Sequence, residues 1–165
     1  VVFLNMFTVD EKVCLALQKK LHRKGVTAIW QYAPGLVTAK KWSVENSSSL
    51  TGIRMALIPG GDLTVQGVPM KKKLALSPRM AVTDPLAEQK KVYAATPEYV
   101  GMGRKTLPSG AVAVFCGSPI TDPAVWHTLL NDAGAVPFTA PGKVTIGFGA
   151  FIQSSYAIFL VVSFG

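Results

Sequence analysis

Cys116 is the residue whose type and place suit chemistry most directly. It closes the apolar run Ala111-Val112-Ala113-Val114-Phe115, which reads as a strand buried on both faces. Thr121-Asp122-Pro123 follows, a cap and an N1 proline that predict a helix over 123–133. A thiol between a buried strand and a helix is placed for nucleophilic attack if a nearby base can take its proton. The two histidines are poor candidates for that base. His22 falls near the end of an early helix, and His127 lies inside the late one beside Trp126. Neither belongs to a loop beyond a strand. Carboxylates fare no better. Of nine acidic residues, Asp10, Glu11, Asp122 and Asp132 fall at helix ends, Glu45 begins a short helix, and Asp62 and Asp84 sit in turns. Glu88 and Glu98 have no visible partner, so no pair stands ready to flank a glycosidic bond.

Metal and cofactor chemistry find no footing. There is no Cys-x-x-Cys and no histidine pair at ligand spacing. The two cysteines, Cys14 and Cys116, make no disulfide framework, and Cys14 reads as a small buried hydrophobe on a helix. Gly101-x-Gly103 is too short a signal for a phosphate loop. Trp30, Tyr32 and Trp42 are able to stack on a sugar ring. Trp30 is expected to face the core, and Trp42, in the basic loop 36–42, is the better exposed contact. In an open parallel sheet ligands bind beyond the carboxyl ends of the strands. Three such ends are legible, at 5–7, 31–34 and 116–118. The binding candidates are therefore Asn5, Tyr32, Trp42, Cys116 and Ser118.

The elements that must position these residues begin at the first residue. Val1-Val2-Phe3-Leu4 reads as a buried strand. Thr8-Val9-Asp10-Glu11 has capping-box spacing and opens a helix over 9–24, with Val13, Cys14, Leu17 and Leu21 on its apolar side and Gly25 stopping it. Val26 to Trp30 is the second strand, so the opening is a βαβ unit with parallel strands. Ser43 caps a short helix that Gly52 ends. Strands are expected at 53–58, 63–68, 79–82, 90–95 and 99–105, and 71–76 is ambiguous. Closing strands are expected at 144–148 and 151–163, the second as a hairpin with its neighbour. The expected fold is a single α/β domain over 1–165: a three-layer sandwich, a mostly parallel sheet with helices on both faces and a late antiparallel portion.

Composition narrows the partners. Hydrophobic residues make up 49% and charged residues 16% of 165, which is globular rather than disordered. The formal net charge is +8, but the one tight cluster, Lys71-Lys72-Lys73, has no aromatic interleaving, and no nucleic-acid partner is expected. The apolar tail 146–165 is broken by Gln153-Ser154-Ser155-Tyr156 and by glycines, which argues against a membrane span.

Several runs together resemble a known family. Phe3-Leu4-Asn5-Met6-Phe7, Gly25 to Trp30 with Tyr32-Ala33-Pro34-Gly35, Ser43-Val44-Glu45-Asn46 with Leu50-Thr51-Gly52-Ile53, Ser118-Pro119 and 129–135 are similar to glutamine-amidotransferase-like domains. These are accessory domains of glycoside-hydrolase-type proteins, related to the β-galactosidase trimerisation domain. The resemblance implies a flavodoxin-like domain, part of a larger protein, that sits beside a catalytic barrel absent from this sequence. It implies no cofactor, and as partners the other domains or subunits of the parent, with carbohydrate as a further candidate. Class I glutamine amidotransferases raise their nucleophile on Gly-x-Cys-x-Gly. Here Val114 and Ser118 replace the two glycines, and no His-x-Glu occurs anywhere. A non-catalytic scaffolding role is therefore expected. An amidotransferase- or hydrolase-like enzyme using Cys116, and a sugar-binding module, are the alternatives.

Overall fold

The structure is a computed structural model that describes residues 1–4, 6–38, 41–58, 78–88, 94–96, 99–117, 120 and 123–134. The expected strands at 63–68, 144–148 and 151–163, the segment 71–76 and the Thr121-Asp122 cap lie outside the described residues. Eight strands and three helices are described: β1 (Val2–Phe3), α1 (Glu11–Leu21), β2 (Thr27–Gln31), α2 (Val44–Thr51), β3 (Met55–Ile58), β4 (Arg79–Val82), β5 (Ala94–Thr96), β6 (Tyr99–Val100), β7 (Met102–Thr106), β8 (Val112–Cys116) and α3 (Pro123–Asp132). The content is mixed α/β.

Two four-stranded sheets form, in the orders β1-β2-β8-β7 and β3-β4-β6-β5. In the first, β1, β2 and β8 run parallel as neighbours, with Phe3 opposite Trp30 and Trp30 opposite Phe115, while β7 joins antiparallel to β8. The second sheet is antiparallel throughout. Residues 99–105, expected as one strand, divide at Gly101. β6 pairs with β4 and β7 with β8, so the chain changes sheets at that glycine.

Alternation along β2 and β8 sorts the core into two clusters. Ala28, Trp30, Ala113 and Phe115 join Cys14 and Leu21 of α1, Leu50 of α2, and Met80 and Val82 of β4. Ile29, Val114 and Cys116 face the other way and meet Val125 and Leu129 of α3. Trp30 is fully buried, and Phe3 stacks on it at 4.1 Å with the rings 12° apart, which follows from their opposition across β1 and β2.

The start of α1 departs from the expected capping box. Asp10, not Thr8, is the cap: its carboxylate accepts from the Val13 N–H at 2.8 Å. Thr8 is instead extended, bridged to Val37, and so cannot turn into the helix. The helix ends at Leu21, earlier than expected, and Gly25 takes its left-handed conformation in the turn beyond. α2 follows its signals, with the Ser43 hydroxyl accepting from Asn46 N–H and Gly52 left-handed at the end. Three polar side chains fasten these helices. Gln18 donates to the Ser49 carbonyl and His22 Nε2 lies 3.1 Å from the Leu50 carbonyl, while Asn46 Nδ2 donates to the carbonyls of Val9 and Gly35.

Asp84 fastens the second sheet to the first. Its carboxylate is buried and accepts from Lys105 Nζ on β7 at 2.7 Å, from the N–H of Arg54 ahead of β3, and from Leu86 N–H. Burial works to raise its pKa, but the hydrogen bond from Lys105, the two N–H groups and the Lys105 charge outweigh it and hold the carboxyl below its ordinary value. A depressed folded value means that the stabilisation is present above the unfolded carboxyl range and disappears as pH falls through the folded value. Asp84→Asn should therefore cost about 2–3 kcal/mol at neutral pH, since it strands a lysine and loses an acceptor. Urea unfolding measures this, and the gap between variant and wild type should narrow as pH falls below the ordinary aspartate value of about 3.9 and close only below the depressed folded value.

Candidate functional site

The carboxyl ends of β1, β2 and β8 do lie side by side, but backbone hydrogen bonds stitch them together. Tyr32 N–H donates to the Cys116 carbonyl at 2.6 Å, Gly35 N–H to Met6 at 2.7 Å and Val37 N–H to Phe7 at 2.9 Å. The Gly35 Cα approaches Leu50 and Asn46 so closely that a Cβ would stand 2.9 Å from Leu50 Cδ2, and its φ is +65°. The residues Tyr32-Ala33-Pro34-Gly35 and Asn46, which carry part of the family resemblance, thus meet in one buried joint between β2, α1 and α2.

Tyr32 is the one non-glycine with positive φ among the described residues, at +70°. Its side chain is 8% exposed and meets Phe7 edge-on, with ring centroids 5.2 Å apart. Burial raises the pKa of its phenol. Cys116 is 4% exposed and packs with Ile29, Met102 and Val125 on the α3 side of the sheet. Among the described residues α3 begins at Pro123, and residues 118–119 and 121–122, where a strand-to-helix elbow would turn, lie outside the described residues. Of the two histidines, His22 is engaged with Leu50 between α1 and α2, and His127 pairs with Asn131 on the exposed side of α3. The structure therefore brings Tyr32 and Cys116 together through their backbones and leaves both histidines elsewhere. Asn5 and Ser118 lie outside the described residues.

Trp42 is placed differently, 60% exposed at the end of a hairpin. Val37 bridges Thr8 on one side and Trp42 on the other, and the Ser43 N–H donates to the Leu36 carbonyl. A small hollow lies elsewhere, between Thr27, Arg104, Val114, Leu129 and Asp132, and at about 10 Å3 it has room for one water. Among the described residues no cluster of histidine, cysteine and carboxylate groups has metal-site geometry, and no helix is long and apolar enough to cross a membrane.

Sequence reasoning missed the work of Gly117 and Gly103. A Cβ on Gly117 would stand 2.5 Å from the Met80 carbonyl oxygen, and one on Gly103 would stand 3.2 Å from both Val82 methyls. These glycines let β4 of the second sheet lie against β7 and β8. The signal was present as Gly101-x-Gly103 and Cys116-Gly117, but glycine spacing alone does not tell sheet contact from ligand contact.

Comparison with protein-family models and with curated proteins yields no match to this chain.

Two outcomes are expected at this end of the sheet. In native protein a disulfide reagent should modify neither Cys116 nor Cys14 within minutes, whereas both react in urea. Both thiols are buried, and burial pushes the Cys14 thiol up. Gly117→Ala should cost about 1–3 kcal/mol, read from the chemical denaturation midpoint, because the obstacle is a backbone carbonyl that cannot rotate away.

Proposed function

We propose that this chain is a non-catalytic scaffolding domain of a carbohydrate-active, glycoside-hydrolase-type protein, built as a flavodoxin-like three-layer sandwich and working through contact with other domains or subunits. The observation that carries the non-catalytic part is the place of Cys116. Its thiol is 4% exposed beneath α3, where a nucleophile needs access, and the two histidines bond to Leu50 and Asn131. The contact role has separate support. β1 and β3 stand at the ends of their sheets among the described residues, and Leu57 on β3 is 46% exposed. The layered fold is supported by apolar clusters on both faces of the parallel strands, one shared with α1 and α2 and the other with α3.

Two measurements test the proposal. The purified chain should release no ammonia from glutamine above the buffer rate, and Cys116→Ala should leave that unchanged. Turnover that Cys116→Ala abolishes would make the chain an enzyme. In the parent protein, deletion of residues 1–165 should change the number of subunits per particle, from light scattering and the subunit mass, or lower Tm. A parent with the same subunit number and Tm after the deletion would remove the scaffolding role.

A further inference from the structure

We infer that Trp42 is the floor of a binding site for a neutral saccharide, formed with Thr8 on the outer face of the ladder of 8, 37 and 42. This inference goes beyond the scaffolding role and does not rest on it. Residues directly paired across strands point to the same side, so Thr8, Val37 and Trp42 form one row, with neighbours about 5 Å apart and Thr8 about 10 Å from Trp42. The opposite side of the same ladder is the core side, where Val9, Leu36 and Ser43 are buried. Trp42 therefore lies on the outer side because of its register.

The ladder holds that row still. The Thr38 N–H and hydroxyl both donate to the Lys41 carbonyl, at 2.9 and 2.8 Å, and the Lys41 N–H returns to the Thr38 hydroxyl at 3.1 Å. Ser43 N–H closes the base of the hairpin on Leu36. Trp42 thus hangs from a backbone fixed at both ends, and little ordering entropy remains to be lost when a ligand settles on its indole. The ladder also lies in the loops that follow β1 and β2, at the carboxyl end of the parallel strands, where α/β sheets take their ligands.

The surroundings choose the occupant. A stable protein interface takes about 800 Å2 from each partner, with an apolar centre. Here one indole, worth roughly 150–250 Å2, stands among polar or charged exposed neighbours, Thr8 and Lys41, with Val37 half-buried. That is too small for a protein and has too little charge for a polyanion. It fits a sugar ring, whose apolar C–H face lies on the indole while its hydroxyls exchange hydrogen bonds with Thr8 and with water. Leu15, Leu57 and Leu86 are as exposed or nearly so, but they offer no flat π face and no built hairpin.

The test is intrinsic fluorescence and proton–nitrogen NMR of the full chain titrated separately with cellohexaose, β-1,4-galactohexaose, mannohexaose and xylohexaose. At least one should shift the emission to the blue, saturate at a Kd of roughly 0.1–1 mM and move the Trp42 indole N–H signal. Trp42→Ala should lose at least tenfold in affinity, Trp42→Tyr should retain binding within about threefold, and Thr8→Val should weaken it by two- to fivefold. Trp30 is buried and Trp126 half-buried, so Trp42 is the indole most open to a ligand, and an unchanged thermal transition in Trp42→Ala excludes a folding defect. Absence of saturation with all four oligosaccharides, or equal affinity in Trp42→Ala, overturns the proposal. So does a loss of self-association or of parent assembly in Trp42→Ala without any sugar response.

Discussion

The parallel pairing of β2 with β8 is the constraint on which the rest depends. Five register pairs, from Thr27–Val112 to Gln31–Cys116, join segments more than 80 residues apart in sequence. Closing so long a loop costs conformational entropy that only burial on both faces returns. Trp30 and Phe115 supply that burial on one side, and Ile29 and Val114 on the other. The pairing also decides what the intervening chain must do. Leaving β2 on one side of the sheet, it has to come back as β7 on the far edge of β8. The second sheet is part of that excursion, which makes it part of the core rather than an appendage.

How tightly that excursion returns explains the closed site. Gly103 and Gly117 remove the two side-chain atoms that would keep β4 away, the Gly101 carbonyl takes the Gly117 N–H, and the buried Asp84–Lys105 pair locks the approach. Met80 and Val82 then occupy the space beside the strand ends that in an open sheet would remain a crevice. Packing also buries Cys116, which is 4% exposed. Its alternation with Phe115 sends the thiol under α3, and the glycine after it serves the neighbouring sheet.

Much of the first sheet was legible in the sequence because its signals are local and agree with one another. The apolar runs 1–4, 27–30 and 111–115 read as strands and form β1, β2 and β8, the first at the edge and the other two at the centre of the sheet, and Ser43 with Gly52 brackets α2 by cap chemistry alone. What failed was nonlocal. Thr8 and Glu11 satisfy the capping-box pattern, yet Thr8 is drawn into a bridge with Val37, a partner 29 positions away, and Asp10 takes the cap. The division at Gly101 likewise depends on which sheet offers a partner on each side. The candidate site was legible as a place, the strand ends, but not as a shape, because closure depends on the second sheet.

Tyr32 shows how the fold and the closed site require each other. A left-handed backbone costs a residue with a Cβ about 1–2 kcal/mol, and a glycine there would avoid the cost. Tyrosine offsets it by burying its ring, worth roughly 2 kcal/mol, and by the edge contact with Phe7, worth about 0.5–1.5 kcal/mol. The sharp turn that this backbone makes is also what sends Ala33 to Gly35 back over α1 and α2, into the joint with Asn46. A chain that relaxed Tyr32 to open a pocket would give up the ring burial and the joint together. Strained backbone often marks a working site. Here it marks a packed turn, and the ligand surface we propose is the outer side of the hairpin that follows it.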